Sequence, residues 1–405
     1  MTTIGGGSDE RREQGGWLVG LGLERDEDYI GEMKCLQCIC LQGCQDLTCL
    51  PRSIVNLERL RFLDLSGAQV MTVPRDFGRL VNLVSLKGFP AYTDTAKSWC
   101  TVQELGPLHH LMHLTVRGPE NISSSSMDTS ANLAEKRCLR SLWLYCTSSH
   151  AYEQHRQELP GWLLSSDLEN LRLLKLENLR SCTQLPCSFV QLPNLESLCI
   201  KHALSIRRIG EEFLDLLRPY IVFPKLKKLV FYGMLQWKEW DWDVKLEAMR
   251  ALESLQISRC RLSHLPPGLA GQTMALRVIK IEKAKDLISV ENFCSVVELY
   301  LHSNSSLEKI ANLSNLKKLR VSKCPKLQVL EEVKALSSIE LKDHEMRTLP
   351  EYLQQRRNQK VRRRIKSNRR GVHTVVDPGR LIQKQLLKLF TSNVLWQIGN
   401  ALHTV

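Results

Sequence analysis

The chain has 405 residues, which is too many for one compact hydrophobic core, so several domains or one elongated array are expected. Its net charge is +13, and nine Lys or Arg without any Asp or Glu lie between Tyr352 and Val376, so the basic character belongs to the C-terminal part. No apolar run approaches the ~20 residues of a membrane helix, which excludes a transmembrane segment.

Residues 1–16 are Gly-rich and charged and contain no apolar stretch. We predict that they form a disordered leader and are not a signal peptide. The 14 cysteines of a chain without a secretion signal are expected to be reduced thiols. The predicted location is therefore the cytoplasm, with the nucleus as the alternative.

A repeated phrase governs residues 17–350: an apolar residue, two variable residues, a second apolar residue, one variable residue and a third apolar residue. The last two apolar residues share one face of a β-strand because they are two positions apart. The mean spacing of thirteen starts is 25 residues, which indicates leucine-rich repeats. The starts are Leu36, Leu60, Leu83, Leu111, Leu139, Leu171, Leu195, Leu226, Leu252, Leu276, Val296, Leu316 and Leu336, with a further weak copy at Leu18.

One repeat buries too few side chains to offset the entropy of ordering its backbone, whereas stacked repeats share their buried faces. The predicted fold is therefore an α/β leucine-rich-repeat solenoid of 13–14 repeats over residues 17–350, a horseshoe with a parallel concave sheet and an irregular convex side. A basic segment and an amphipathic helix that begins at Asp377 are predicted for residues 351–405. The helix either covers the end of the stack or binds a partner.

Three residues after the third apolar position, a side chain is expected to lie inside the coil and bond backbone groups there. This slot holds Asn304 in one repeat and a cysteine, such as Cys44, in others. Cys44 belongs to a Cys-rich stretch with Cys35, Cys38 and Cys40 that resembles a zinc site. Because the repeat places these thiols on different faces of the coil, no metal is expected.

One variable residue per repeat, between the second and third apolar positions, is expected to form a column down the concave sheet. Aromatic side chains flanked by Lys and Arg in such a column are typical of a protein-binding hot spot, and a solvated face without a ligand is the alternative. The predicted binding residues are Trp143, Lys175, Lys228, Lys280, Tyr300, Lys318 and Arg320. A second aromatic group, Trp237, Trp240 and Trp242, is expected to pack inside the convex side.

The basic segment contains Arg362, Arg363, Arg364 and Lys366. A nuclear-import signal and a solvated linker are equally compatible with it, and nucleic-acid or anionic-membrane contacts are further candidates. No aromatic residue interrupts this basic run, so base stacking and hence nucleic-acid binding are not expected.

Several linked phrases resemble the repeat region of plant nucleotide-binding leucine-rich-repeat disease-resistance proteins, and the grass members in particular. The resemblance spans roughly Met33 to Tyr352. The phrases are LVNLVSLKGF, TVQELGPLHHL, NLAEKRCLRSLWL, VFPKLKKLVFYGMLQWKEWDW, LPPGLA, SVENFCSVVELYL and CPKLQVLEEVKALSSIEL. Family members carry a coiled coil and a nucleotide-binding module before the repeats, but Gly-Lys, the core of the phosphate-binding loop, never occurs here.

The resemblance therefore implies the sensor part alone, which binds a pathogen effector, a guarded host protein or a nucleotide-binding switch module. An intracellular adaptor, such as a ubiquitin-ligase substrate receptor, is the alternative, although it would need a ligase-binding motif and residues 1–16 are short and polar. No phrase brings a nucleophile, a base and an orienting group together, so we expect neither catalysis nor a cofactor nor a small-molecule substrate.

Overall fold

The structure is a computed structural model that describes residues 17–19, 28–94, 99–121, 131, 133, 135–147, 168–180, 182–185, 192–210, 222–242, 247–341 and 361–363. The chain divides into two units, Met1–Arg364 and Ile365–Val405, and all described residues belong to the first.

The described residues form strands connected by turns and a few short helical segments, as follows. The strands are β1 (Trp17–Val19), β2 (Cys38–Cys40), β3 (Phe62–Asp64), β4 (Ser85–Pro90), β5 (Thr93–Asp94), β6 (Trp99–Cys100), β7 (His113–Arg117), β8 (Ser141–Tyr145), β9 (Leu173–Glu177), β10 (Ser197–Lys201), β11 (Arg208–Ile209), β12 (Lys228–Tyr232), β13 (Glu239–Trp240), β14 (Ser254–Cys260), β15 (Val278–Ala284), β16 (Ser289–Glu291), β17 (Glu298–His302), β18 (Lys309–Ala311), β19 (Lys318–Ser322), β20 (Val329–Glu331), β21 (Ser338–Leu341) and β22 (Val361–Arg363). The helices are α1 (Pro267–Gln272) and the 3₁₀ turns Asp28–Glu32, Arg52–Asn56, Phe77–Arg79, Thr101–Leu105 and Pro119–Asn121.

Fifteen strands make one large parallel sheet, in the order β1-β2-β3-β4-β7-β8-β9-β10-β12-β14-β15-β17-β19-β21-β22. This confirms the predicted parallel-sheet solenoid. The return segments carry the short parallel sheets β11-β13 and β16-β18-β20, and β5 pairs with β6 in an antiparallel hairpin. Few of the described residues are helical, so the convex side is built mainly from extended segments and turns.

The first residue of each of the thirteen predicted phrases is followed, within two residues, by a strand of the large sheet. These strands run from β2 (Cys38–Cys40) to β21 (Ser338–Leu341). The second and third apolar residues alternate with accessible positions, as in β8, where Leu142 and Leu144 are fully buried. The weak copy at Leu18 is an exception. Strand β1 pairs Leu18 with Ile39, so Leu18 takes the second apolar position and not the first.

The weak phrase at Leu83, whose third apolar position is Gly88, is completed by a β-bulge. Leu86 pairs with Leu114, but the register then shifts so that Phe89 pairs with Val116. Phe89 is fully buried and fills the space that glycine leaves. The extra residue bends the strand and increases its local twist.

Gly88 is required at this bulge for two separate reasons, and we predict that Gly88→Ala destabilises the protein. Its φ is +75°, and a Cβ there would lie 2.7 Å from the backbone carbon of Leu65. A left-handed non-glycine residue costs roughly 1–3 kcal/mol, and the clash adds to that cost. Urea unfolding followed by circular dichroism measures the decrease in the free energy of unfolding.

Gly43 is the matched control because its φ is +76° and nothing lies within 4 Å of the position its Cβ would occupy. Gly43→Ala should therefore show the strain without the clash and lose less stability than Gly88→Ala. Equal losses for the two variants would mean that the close approach to Leu65 has no energetic consequence.

The slot inside the coil is occupied as predicted. Asn304 is fully buried, its Oδ1 accepts a hydrogen bond from the backbone N–H of Ala284 (3.0 Å), and its Nδ2 donates to the carbonyl of Ile281 (3.0 Å). Cys260 and Cys324 are buried in the same slot of neighbouring repeats. The Asn304 side chain therefore forms hydrogen bonds to two backbone groups of the preceding repeat and links that repeat to its own.

The three tryptophans predicted to pack on the convex side are buried there. Trp237, Trp240 and Trp242 have exposed fractions of 0%, 5% and 2%. The rings of Trp237 and Trp240 lie 5.4 Å apart, and both contact Phe231 of β12. They join the return segment to the strand of the large sheet in the same repeat.

The sheet continues beyond residue 350, where the sequence analysis ended the solenoid. Strand β22 pairs in parallel with β21, so that Arg362 aligns with Glu340 and Arg363 with Leu341. Arg362 and Arg363, predicted as part of a basic segment, therefore belong to a strand. Arg364, Lys366 and the predicted helix from Asp377 lie outside the described residues.

Candidate protein-binding face

The predicted column of variable residues is aligned across the large sheet, except between Lys87 and Thr115, where the bulge in β4 shifts the register. Pairing of consecutive strands places Trp143 beside Lys175, and Lys280 beside Tyr300 and then Arg320. Each of these residues lies between two buried apolar residues of its strand, because alternate side chains of a strand point to the same face. In order, the column is Cys40, Asp64, Lys87, Thr115, Trp143, Lys175, Cys199, Val230, Gln256, Lys280, Tyr300, Arg320 and Glu340.

Trp143 and Lys175 form the first of two clusters on this face. The Lys175 Nζ lies 3.1 Å from the centroid of the Trp143 ring and 2.7 Å from a carboxylate oxygen of Glu177. Burial lowers the pKa of Lys175, whereas the hydrogen bond from Lys175 to Glu177 acts in the opposite direction. Trp143 is half-buried rather than exposed as the sequence suggested, because the neighbouring lysine covers its ring.

Tyr300 is the centre of the second cluster. Three cationic groups, those of Lys280, Lys318 and Arg320, lie 5.2–5.3 Å from the centroid of its ring. The Tyr300 hydroxyl donates a hydrogen bond to Glu298 and accepts one from Lys318 Nζ (3.0 Å). The ring is therefore held in one orientation and remains partly accessible between cations.

Carboxylates neutralise part of this second cluster. Arg320 Nε donates to Glu340 (2.7 Å), and Lys318 Nζ lies 3.5 Å from Glu298. The hydrogen bond from Tyr300 lowers the pKa of Glu298, and nearby Lys318 contributes in the same direction. Among the described residues, no carboxylate lies within ion-pair distance of Lys280, although its charge contributes to the lowered pKa of Glu298.

The seven predicted binding residues thus form two clusters with Lys228 between them. Lys228 is exposed on β12, and strands β14 and β15 separate it from Tyr300. One column position departs from the prediction of a uniformly accessible face. Val230 is only 8% exposed and forms part of the packed surface between the clusters.

The sequence analysis missed a third group beside the column. Lys201 and Tyr232 lie two residues beyond the column position of their strands, and His202 and Arg259 lie three residues beyond it. The cations of Lys201 and Arg259 lie 5.8 and 5.5 Å from the ring centroid of Tyr232, and the ring of His202 meets it edge-on at 5.3 Å. For Lys201 and Tyr232, the signal was the last residue of the strand, which lies on the same face as the column. Accessible aromatic and cationic side chains therefore extend between the two clusters.

A buried lysine holds the turn that precedes the Trp143 strand. The Nζ of Lys136, which is 2% exposed, donates to the carbonyls of Leu105 (2.6 Å), Gly106 (3.1 Å) and Leu108 (3.3 Å). Burial lowers the pKa of this ammonium to about 8. Lys136 thereby links the turn before β8 to the turn before β7.

Replacing Lys136 with methionine should lower the free energy of unfolding by about 1–3 kcal/mol, because buried carbonyls lose a donor while the apolar packing is largely kept. Lys34→Met, at an exposed lysine, is the control and should change stability by less than about 0.5 kcal/mol. Thermal unfolding of both variants measures the difference. If Lys136→Met is as stable as Lys34→Met, the three hydrogen bonds do not support the turn.

The thiols of this face are not activated. Burial raises the pKa of Cys38 to about 11 and also raises that of Cys199, so both thiols remain protonated near neutral pH. Cys38 and Cys40 flank Ile39 on β2, and Cys44 packs against the core.

Within the described ranges, no group of three or more His, Cys, Asp or Glu is placed to hold a metal ion. No helix in that part of the chain is long and apolar enough to cross a membrane.

Comparison with protein families matches residues 27–265, more than half of the chain, to the family described as "Leucine-rich repeat region". A curated relative, "Putative disease resistance RPP13-like protein 1" of Arabidopsis thaliana, is 26% identical over an alignment of 228 residues that covers 46% of this chain and 21% of that protein. The match therefore spans about a fifth of the relative's length.

Solved structures with similar coordinates include an internalin (inlF) from Listeria monocytogenes, with 17% identity and a TM-score of 0.42 over 76% of this chain and 87% of that one. Another is the LRR ectodomain of the plant membrane receptor kinase GASSHO1/SCHENGEN3 from Arabidopsis thaliana, with 16% identity and a TM-score of 0.36 over 78% of this chain and 43% of that one.

Proposed function

We propose, from the premise that this chain belongs to the leucine-rich-repeat family, that it is a non-catalytic recognition module of plant innate immunity. In this proposal it binds a protein partner through the concave face that carries the Trp143 and Tyr300 clusters. The partner is a pathogen effector, a guarded host protein or a nucleotide-binding switch module, and the chain acts in the cytoplasm or the nucleus.

The observation that carries the proposal is the Tyr300 cluster. A partly accessible aromatic ring surrounded by three cationic groups offers both apolar area and charge, the combination found at energetically important positions of protein interfaces. The hydrogen bonds that fix Tyr300 reduce the conformational entropy lost when a partner binds. The Trp143–Lys175 pair offers a second contact on the same face.

The link to plant defence is supported by the similarity to the disease-resistance protein of Arabidopsis thaliana, together with the phrases that resemble the repeat regions of such proteins. The similarity covers about a fifth of that protein. The proposal is accordingly limited to recognition, and nucleotide-driven switching is not part of it.

A two-hybrid screen against libraries of pathogen effectors and host plant proteins tests the proposal. Each interacting protein should then be measured against purified wild type, Trp143→Ala and Tyr300→Ala. Loss of an aromatic hot-spot residue typically weakens binding by about 2 kcal/mol or more, so we expect roughly a 30-fold or larger increase in Kd for at least one of these variants.

Leu235→Ala is the matched control, because Leu235 is a large apolar residue, 52% exposed, in the turn after β12 and outside the sheet face. It should leave Kd unchanged. The proposal is wrong if every partner tolerates both concave variants or if Leu235→Ala weakens binding equally. If the bound protein is a ubiquitin-ligase subunit, the adaptor alternative is favoured over immune recognition.

For the basic segment we propose a nuclear-import signal that includes Arg362, Arg363, Arg364 and Lys366. A fluorescent fusion in leaf cells should show a lower ratio of nuclear to cytoplasmic signal after Arg362, Arg363 and Arg364 are changed to alanine. Lys225 and Lys227, two exposed lysines of the solenoid, provide the control, and their alanine variants should distribute as wild type. An unchanged distribution of the triple variant contradicts the import signal.

A further inference from the structure

In most repeats, the residue three positions after the column residue adopts a left-handed backbone conformation. In four repeats this position is a glycine, namely Gly43, Gly67, Gly118 and Gly233, with φ between 69° and 76°. Glycine is the residue that adopts such a conformation without steric cost. The chain turns away from the sheet here, so the turn itself requires only a positive φ.

In three of the C-terminal repeats the same position holds a long basic residue. Arg259, Lys283 and Lys323 have φ values of 56°, 55° and 53°, and all three are exposed. A non-glycine residue other than Asn or Asp is uncommon in this region, because its Cβ approaches the following carbonyl oxygen. Asn178, His202 and Ser303 occupy the same position in other repeats, with φ values of 63°, 55° and 54°, so several residue types are tolerated there. The C-terminal repeats place an exposed cation at this position three times.

These positions are neighbours at the C-terminal ends of interior strands, and we call Arg259, Lys283, Ser303 and Lys323 the post-strand row. Two of them are the last residue but one of β14 and β15, and two directly follow β17 and β19. Pairing of β14 with β15, β15 with β17, and β17 with β19 places them in consecutive strands. At about 4.8 Å between strands, the row extends about 14 Å from Arg259 to Lys323. Four or five residues of an extended peptide cover that length at about 3.3 Å per residue.

The row adjoins the Tyr300 cluster. Lys323 lines the same shallow depression as Lys280, Tyr300 and Arg320. At the other end of the row, Arg259 lies over the ring of Tyr232. Lys323 therefore faces the same surface as the Tyr300 cluster, and Arg259 faces the ring of Tyr232.

Carboxylates near the row are fewer than the cations. Glu298 and Glu340 are engaged by Lys318 and Arg320, and Asp286 pairs with Arg261 at 3.1 Å. Glu282, beside Lys283, is exposed. The surface therefore has an excess of positive charge but is interrupted by acidic side chains. A continuous phosphate backbone would meet those carboxylates, whereas a peptide places its charges at discrete positions.

We propose that the post-strand row and Lys280 bind an acidic segment of the protein partner, which lies in an extended conformation across strands β14 to β19. This proposal rests on the proposed function, since it names the chemistry of the partner for the same face. The carboxylates of the segment contact the row, and its neighbouring side chains contact Tyr300.

The test uses the full chain and a fluorescein-labelled peptide of about twelve residues in which glutamate alternates with serine, with fluorescence anisotropy measured at low and physiological salt. The variant combines Arg259→Gly, Lys283→Gly and Lys323→Gly, which removes three charges and relieves the backbone strain. The affinity of the wild type for the peptide should fall as salt increases. The triple variant should bind the peptide with a Kd that is higher by roughly tenfold or more. Its melting temperature should equal or exceed that of wild type, so that lost binding cannot be attributed to unfolding.

Ser303→Gly is the matched control, because it relieves the same strain in the same row (φ 54°) without removing charge. It should bind the peptide as wild type does. The proposal is overturned if wild type does not bind the peptide, if the triple glycine variant binds it equally well, or if single-stranded DNA of equal charge binds more tightly and depends on the same row.

The outcome also separates this inference from the proposed function. If a partner found by the two-hybrid screen requires Trp143 or Tyr300 but is indifferent to the triple glycine variant, the concave face binds protein and the acidic-segment proposal fails. If the glutamate peptide depends on the row while no partner depends on Trp143 or Tyr300, the proposed function fails instead.

Discussion

Trp237→Ala is expected to lower the free energy of unfolding by about 3–5 kcal/mol, the range for removal of a buried tryptophan or phenylalanine side chain. Trp237 is fully buried, and its ring lies 4.8 Å from that of Phe231 and 5.4 Å from that of Trp240. Its Nε1 donates a hydrogen bond to the carbonyl of Glu239 (2.8 Å). Truncation therefore leaves a cavity between the return segment and β12 and removes the donor.

Urea unfolding followed by tryptophan fluorescence and circular dichroism measures this effect. Leu235→Ala, two residues away at an exposed position, should change stability by less than about 0.5 kcal/mol. Similar losses in the two variants would mean that the aromatic cluster does not contribute to the stability of the solenoid. Because neighbouring repeats share their interfaces, we expect the loss to affect the whole unfolding transition and not one repeat alone.

Asn304→Ala is expected to lower the free energy of unfolding by roughly 2–6 kcal/mol, because the buried N–H of Ala284 and the buried carbonyl of Ile281 each lose a side-chain partner at about 1–3 kcal/mol. The same side chain bonds both groups, so one substitution breaks both links between the repeats. Thermal and urea unfolding of the purified variant measure the loss.

Asn304→Cys provides a graded comparison, since cysteine occupies this slot at Cys260 and Cys324. It should be less destabilising than alanine, because a thiol fills more of the slot and can donate a weak hydrogen bond, as the Sγ of Cys324 does to the carbonyl of Ser322 (3.5 Å). If Asn304→Ala is no less stable than wild type, the amide is not a structural link.

The positions of the strands could be predicted from the sequence because their cause is local. Two apolar residues at a spacing of two place a strand with one buried face, and thirteen phrases led to thirteen strands in register. Features that depend on a neighbouring repeat were harder to predict. The bulge between β4 and β7 brings Phe89 into the core at the position where the phrase has Gly88. Leu18 pairs with Ile39, the second apolar residue of the next repeat, although its own phrase makes it the first.

The alignment of the candidate site was also predictable, but its chemistry was only partly so. The column follows from the repeat, whereas the covering of the Trp143 ring by Lys175 depends on a residue of the next strand. The carboxylates of Glu298 and Glu340, which neutralise part of the Tyr300 cluster, are likewise contributed by different strands. The left-handed conformation of the post-strand row is a property of the backbone and has no signature in the residue types, since Arg and Lys rarely adopt it.

Photo-crosslinking from the large sheet tests most directly whether this face binds protein. Benzoyl-phenylalanine introduced in place of Trp143 or Tyr300 should cross-link to the partner identified in the two-hybrid screen, because both positions lie on the concave face. The same probe at Leu235, outside that face, should give no cross-link. Cross-linking from position 235 without cross-linking from positions 143 and 300 would contradict the assignment of the binding face.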